Sequence, residues 1–184
     1  MGRRRASDHP CLVVCPPGLE DLVADELVAL GARPERTGRG SVSVGLTTRR
    51  LYAANLFLRC ATRVLVRIDR FTARSFADLE RYITAIDWSP WLPSDAVPRF
   101  RVTTRHSRLW HDGAVGERFA AGFPARGDRD DDPVNPDSEA EVAGEDGGTG
   151  PLVVVRGLDD RFTVSVDASG APLHERGWRK ATAK

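Results

Sequence analysis

The sequence predicts a fold of the α/β (α+β) class, built from two small units. Three observations favour this class: short apolar or alternating runs typical of strands, amphipathic runs with helical spacing, and an order in which the two kinds of run are interspersed. The 184 residues suffice for one large or two small domains. With 41% apolar and 29% charged residues, the composition is that of an ordinary soluble globular protein.

The first unit is predicted to contain four strands and two helices. The apolar run CLVVCP (11–16) ends at a proline pair and predicts a buried strand. Segment 18–32 has its large apolar residues on one face, acids in its first turn and a glycine near its end, which predicts an amphipathic helix. Two strands are predicted over 33–46 around the turn TGRG. A Thr-capped helix over 47–61 and a strand over 62–71 complete the unit.

The second unit is predicted to start at Ser75, the N-cap of a helix that ends before Pro90. A strand over 97–106 and a short, Gly-weakened helix over 113–123 follow. The run PLVVVRGLDDRFTVSVDAS then predicts a hairpin whose strands flank the turn GLDD.

The order of the first six elements is strand, helix, strand, strand, helix, strand, which is that of a ferredoxin-like domain. We therefore assign residues 11–72 to a ferredoxin-like N-terminal domain and residues 73–168 to a second domain with a small mixed sheet.

Charge is distributed unevenly along the chain. Residues 125–150 contain nine acids and two arginines, and their Gly- and Pro-rich composition predicts a disordered acidic insertion. Removing this segment from the 27 basic and 26 acidic residues leaves a net charge of +8 on the rest. All basic residues except Lys180 and Lys184 are arginines, which suit phosphate and base recognition, although a genomic codon bias would also enrich arginine.

Cysteine usage and hydropathy bear on the cellular compartment. Cys11, Cys15 and Cys60 form no C-x-x-C pair and are predicted to be small buried apolar groups. No apolar run approaches the length of a membrane span, and the basic start lacks a signal-peptide core. The sequence thus predicts a cytoplasmic protein without a membrane partner.

Alternation along the strand 97–106 predicts a basic face. Arg99, Arg101, Thr103 and Arg105 point one way, so three guanidiniums share one surface. They repel one another unless an anion lies nearby, which favours a phosphate-binding surface over a merely solvated one.

The connection after this strand adds further candidate RNA-binding residues: His106, Ser107, Arg108, Trp110 and His111. It leads into a helix N-terminus, where backbone amides favour phosphate. Trp110 either stacks on an unpaired base or fills the core between the two units.

Catalytic chemistry has little support in the sequence. His106 and His111 lack the spacing of a helical metal pair, and no Asp or Glu cluster completes a ligand set. Neither Ser107 nor Ser169 has a triad arrangement, and no Gly-rich nucleotide loop is present. We therefore assign no catalytic and no metal-binding residue.

Four segments carry a family resemblance. They are CPPGLEDLVADELVALGA, FADLERYITAIDW, RFRVTTRHSRLWHDGAVGER and FTVSVDASGAPLHERGWRKATAK. In this order they closely resemble the N-terminal half of the large-subunit (23S) rRNA guanine-N2 methyltransferases, over about residues 11–124 and 151–184. The resemblance implies a THUMP RNA-binding domain over 73–168, and a linker over 169–184 with Arg176 and Arg179 as further RNA contacts.

The resemblance also implies what lies outside this sequence. The family continues into an S-adenosylmethionine-dependent methyltransferase domain, whose Gly-rich loop and N-P-P-[YF] motif are absent here. We therefore expect a chain truncated before that domain, with no cofactor of its own.

The expected function is an RNA-binding module that captures structured 23S rRNA for a methyltransferase domain. Three alternatives stay open: a THUMP module of a tRNA-modifying enzyme, a protein-interaction module whose basic face binds an acidic partner, and a metal-dependent hydrolase around His106 and His111.

Overall fold

A computed structural model describes residues 8–93, 96–124 and 150–175. The helices and strands are β1 His9–Val14, α1 Glu20–Ala29, β2 Pro34–Gly38, β3 Ser41–Leu46, α2 Thr48–Phe57, β4 Arg63–Thr72, α3 Phe76–Ala85, β5 Arg99–Arg105, α4 Asp112–Gly122, β6 Leu152–Leu158 and β7 Arg161–Asp167. A single 3-10 turn, Leu173–Glu175, follows β7. The predicted α/β class is confirmed. The predicted insertion lies almost wholly outside the described residues.

Side-chain caps fix the starts of two helices where the sequence predicted them. Thr47 accepts a hydrogen bond from the N–H of Arg50 at 3.3 Å, and Ser75 accepts one from the N–H of Asp78 at 3.1 Å. Each hydroxyl satisfies an amide that has no partner inside its helix.

All seven strands form one sheet in the order β2-β3-β1-β4-β7-β6-β5. Every neighbouring pair is antiparallel except β5 and β6, which are parallel. The last strand of the first predicted unit, β4, pairs with β7 from Leu65 to Thr72. The small mixed sheet of the second unit is therefore continuous with the sheet of the first.

The four helices cover one face of this sheet. The core under α1 and α2 includes Val66, and the core under α3 and α4 includes Val153 and Val166. Val66 pairs with Val166, which pairs with Val153, so the three side chains point the same way and both cores lie on the same side. We call the opposite side the open face. Within the described ranges only a small apolar cluster lies there: Leu12, Leu65, Leu152 and Val154.

Strand β4 contains a β-bulge between Arg67 and Asp69. Arg67 pairs with Ser165 and Arg70 pairs with Thr163, so the four residues 67–70 of β4 match the three residues 163–165 of β7. In a regular strand Arg67 and Arg70 would point to opposite faces; the extra residue places both on the open face.

The β6–β7 hairpin differs from its prediction in the length of its turn. Strand β6 extends through the first two residues of the predicted four-residue turn and leaves only Asp159 and Asp160, with φ of 50° and 62°. Positive φ at both positions matches the twist of a two-residue hairpin, and Asp tolerates this conformation better than most residues.

Two of the three cysteines are buried, as predicted. Cys11 and Cys15 lie in the first core, and burial raises the pKa of the Cys11 thiol to about 12. The prediction is wrong for Cys60, which is only partly buried. In the described ranges, no helix has both the length and the apolar character required to traverse a membrane.

Candidate nucleic-acid interface

The edge strand β5 presents its arginines as the alternation predicts. Phe100 packs into the core under α3 and α4, whereas Arg101 and Arg105 are exposed on the open face. Arg99 belongs to the same side of the strand, and its Nε donates a hydrogen bond to the carbonyl oxygen of Gly150 at 3.1 Å. The strand thus gathers three guanidiniums on one surface.

The loop after β5 is fixed by backbone contacts. His106 has a positive φ of 51° and is exposed, with its Nδ1 at 4.0 Å from Asp159 Oδ1. The Ser107 hydroxyl donates to the carbonyl oxygen of Arg105 at 3.1 Å and accepts from the N–H of Asp160 at 3.2 Å. Ser107 therefore positions the loop, and these contacts leave it a weak candidate for contacting RNA.

Asp160 holds this loop against the hairpin turn. Its Oδ1 accepts a hydrogen bond from the N–H of Arg108 at 2.7 Å. Its Oδ2 lies 3.8 Å from Arg108 Nε and 3.6 Å from Arg74 Nε. Because Arg108 is already paired with a carboxylate, we expect it to contribute less to phosphate binding than Arg105.

Trp110 lies at the surface, with 66% of its area exposed. The alternative in which Trp110 fills the core between the two units is therefore wrong. Its ring lies against that of His111 in a tilted arrangement, with 3.5 Å between centroids and an interplanar angle of 31°. This leaves an exposed aromatic surface on which an unpaired base can stack.

The N-terminus of α4 is a poorer phosphate site than the sequence predicts. Asp112 occupies the first turn, and its Oδ1 accepts a hydrogen bond from the N–H of Thr104 at 2.8 Å. The Thr104 hydroxyl lies 2.6 Å from the same oxygen. A carboxylate at this position supplies the negative charge that the helix dipole favours and repels a phosphate.

A further set of arginines, absent from the predicted site residues, lies on the open face. They are Arg36, Arg67, Arg70, Arg156 and Arg161, and they line a groove of about 590 Å³. Alternation within 62–71 predicts that Arg67 points to the face opposite Val66. It predicts the wrong face for Arg70, because the bulge lies between the two arginines. Arg156 becomes their neighbour only through strand pairing.

The first residues of the predicted linker pack against the sheet. Asp167 is fully buried and ion-pairs with Arg63, whose side chain is 11% exposed. Burial raises the pKa of Asp167, an effect that the N–H of Ser169 and the Arg63 guanidinium oppose. The Ser169 hydroxyl accepts from the N–H of Val64 at 2.8 Å, and Leu173 is buried in the first core. Residues 176–184, with Arg176 and Arg179, lie outside the described residues.

No metal centre is found in the part of the chain that the structure describes: it has no group of three or more His, Cys, Asp and Glu residues able to hold an ion. The ring of His111 lies against that of Trp110, and Asp112 accepts a hydrogen bond from β5. The arrangement around the two histidines therefore lends no support to a metal-dependent hydrolase.

Residues 11–65 match a protein-family model described as the RlmL ferredoxin-like domain. This match confirms the fold predicted for the first unit, while the boundaries of both domains stay predictions.

Curated relatives are large-subunit rRNA methyltransferases. The chain is 31% identical over 173 residues to the ribosomal RNA large subunit methyltransferase K/L of a Marinomonas species, a match that covers 91% of this chain and 22% of the relative. The protein of the same name from Marinobacter nauticus is 31% identical over 186 residues, with 94% and 23% covered. The chain thus spans less than a quarter of the length of these relatives.

Solved structures support the same fold. A predicted N6-adenine-specific DNA methylase from Listeria monocytogenes is 26% identical, with a TM-score of 0.76 over 96% of this chain and 44% of its own. TrmN from Thermus thermophilus has a TM-score of 0.60 at 22% identity, over 91% and 48% of the two chains, a likeness of fold alone. Together with the curated relatives, the family match confirms the resemblance to the N-terminal region of the large-subunit rRNA methyltransferases.

Proposed function

We propose that this chain is the RNA-binding part of an rRNA (guanine-N2) methyltransferase. In this proposal the ferredoxin-like domain and a THUMP domain over 73–168 capture structured 23S rRNA, and residues 169–184 lead to the catalytic domain. The observation that carries the proposal is the exposure of Arg101 and Arg105 on the open face. The exposed ring of Trp110, in the loop after β5, adds a surface for base stacking.

The chemistry of this surface suits RNA. Guanidiniums bind phosphate oxygens with forked hydrogen bonds, which supply affinity without reading sequence. Stacking of an unpaired base on Trp110 would add about 1–3 kcal/mol and favour single-stranded or looped RNA.

S-Adenosylmethionine belongs, in this proposal, to the catalytic domain. The chain has neither the Gly-rich loop nor the N-P-P-[YF] motif that the family uses, so its residues do not fit that cofactor. The role of this chain is to bind and orient the RNA, and the methyl transfer takes place in the catalytic domain.

Charge reversal on β5 tests the proposal. In the variant with Arg101→Glu and Arg105→Glu, two phosphate contacts become repulsive, so we expect affinity for a structured 23S rRNA fragment to fall roughly tenfold or more. Fluorescence anisotropy with a labelled fragment measures this. The matched control reverses Arg33 and Arg49, exposed arginines outside the open face, and should bind like the wild type.

An unchanged affinity in the β5 variant, with its melting temperature preserved, would remove β5 from the binding surface. Competition between the 23S fragment and tRNA addresses the choice of substrate. Displacement by tRNA at lower concentration than by unlabelled 23S fragment would favour a tRNA-modifying enzyme.

A further inference from the structure

The open face has a second basic feature, the groove lined by Arg36, Arg67, Arg70, Arg156 and Arg161. Its floor consists of aliphatic and hydroxyl side chains: Leu12, Leu65, Val154, Thr163 and Ser165. None of its lining residues is aromatic, in contrast to the loop at Trp110.

Strand pairing arranges three of these arginines around β7. Arg70 and Arg156 both pair with Thr163, from opposite sides, and Arg67 pairs with the neighbouring open-face residue Ser165. Adjacent strands lie about 4.8 Å apart, so the backbones of Arg70 and Arg156 are separated by roughly 10 Å across the groove. The bulge in β4 makes this possible, because it brings Arg70 to the same face as Arg67.

The described residues supply little negative charge to this groove. None of its five guanidiniums forms an ion pair within those ranges, and Asp159 is its only acidic lining residue. Arg67 Nη2 donates a hydrogen bond to the Ser43 hydroxyl at 3.4 Å. Burial lowers the pKa of Arg67, and the charges of Arg70 and Arg156 lower it further, whereas Glu35 acts in the opposite direction. The cluster is therefore electrostatically unsatisfied, and an anion would stabilise it.

The groove is continuous with the surface on β5. A neighbouring depression of about 290 Å³ shares Leu65, Val154 and Arg156 with it and is also lined by Arg101. Guanidiniums thus extend from β4 over β6 to β5, across three strand intervals or roughly 14 Å. This is longer than one phosphate group and suits a chain of phosphates.

We propose that the open-face groove binds the sugar–phosphate backbone of one RNA strand, which then passes over Arg101 on β5. The inference rests on the proposed function, since RNA is the ligand in both. The two surfaces then have different roles. The groove supplies phosphate contacts without sequence preference, and the loop at Trp110 contacts bases.

The test is the salt dependence of RNA binding by the full 184-residue chain. Each neutralised phosphate contributes about 0.7–0.9 to the slope of log K against log salt. In a variant with Arg67→Gln, Arg70→Gln and Arg156→Gln, we therefore expect the slope for a 23S rRNA fragment to become shallower by about 2–3. Trp110→Ala should weaken binding and leave the slope unchanged, because stacking releases no counterions.

Two controls keep the result interpretable. A variant with Arg33→Gln, Arg49→Gln and Arg81→Gln removes the same charge from exposed positions outside the groove and should keep the wild-type slope. Arg156→Gln alone changes an exposed residue and should therefore leave the melting temperature unchanged. It should make the slope shallower by about 0.7–0.9.

The outcomes separate the inference from the proposed function. If the wild type binds RNA and charge reversal on β5 weakens it, while both groove variants keep the wild-type slope, the groove is not a backbone site and the inference is overturned. If the wild type binds poly-glutamate but not RNA, the proposed function fails as well, and the face binds an acidic protein.

Discussion

Asp160 holds the loop of the candidate interface in place. Its carboxylate joins the hairpin turn to the loop 106–111 and to Arg74, and its main-chain oxygen accepts the N–H of Ala73 at 3.0 Å. It is 17% exposed, whereas the neighbouring Asp159 is 72% exposed.

The pair offers a matched test. Asp160→Ala removes the hydrogen bond to Arg108 and both ion pairs, so we expect the free energy of unfolding to fall by about 1–3 kcal/mol. Asp159→Ala places alanine at a similarly positive φ but removes only the 4.0 Å contact with His106, and should cost less. Chemical denaturation of both variants measures the difference. Equal losses would mean that backbone strain, rather than the carboxylate contacts, determines the effect.

At the level of residues, the sequence predicted the directions of side chains within one strand. Alternation is local, so Arg101 and Arg105 could be placed on one face without any knowledge of the sheet. The partners of Asp160 could not be predicted, because even the nearest of them, Arg108, lies 52 residues earlier and contacts it only through tertiary structure.

At the level of elements, Glu20 joins the start of α1 to the β2–β3 turn. Its carboxylate accepts hydrogen bonds from the N–H of Gly18 at 2.7 Å and from the N–H of Gly40 at 2.6 Å. The bond from Gly40 is the largest of the effects that lower the pKa of Glu20 below 4.5. Gly40 has a φ of +72°, which a residue with a side chain rarely adopts.

This lowered pKa predicts a pH-dependent stability. A carboxyl whose pKa is lower in the folded state stabilises the fold above its unfolded pKa, and this contribution is lost as the pH falls through the folded value. The difference in melting temperature between the wild type and Glu20→Gln should therefore be largest near neutral pH and shrink below pH 4.5. Thermal unfolding from pH 7 to pH 2.5 measures it. A constant difference over this range would contradict the assignment.

Elements with local determinants were predicted well. The caps at Thr47 and Ser75 are encoded in single residues, and both helices begin there. The bulge in β4 was not predicted, because it reverses the alternation within the strand. Val64 and Val66 face the helices on one side of the bulge, and Phe71 faces them on the other.

At the level of the whole molecule, the nine acids of segment 125–150 offset much of the positive charge carried by the rest of the chain. Replacing its nine acids by Asn and Gln changes the net charge from +1 to +10 at constant length. We expect RNA to bind more tightly at low salt, because long-range repulsion is removed, and the gain to shrink as salt screens the remaining charges. Anisotropy titrations at two salt concentrations measure this. Unchanged affinity at low salt would mean that the segment has no influence on RNA binding.

The whole-molecule arrangement could be predicted only in part. The class and the order of elements follow from periodicity, but the pairing of β4 with β7 joins residues about 100 positions apart and has no local signature. The sequence shows Arg67 and Arg156 as basic residues of two predicted strands. It does not show that they are neighbours in the groove.

The single sheet also sets a length. Six strand intervals of about 4.8 Å separate β2 from β5, so the two edges lie roughly 29 Å apart. If the RNA strand stays stacked with a rise like the roughly 3.4 Å per nucleotide of one DNA strand, about nine nucleotides are the threshold length for spanning the two edges. Because hydrogen bonds between β4 and β7 hold that span, the protein would act as a molecular ruler, insensitive to oligomer length above this threshold and weak below it.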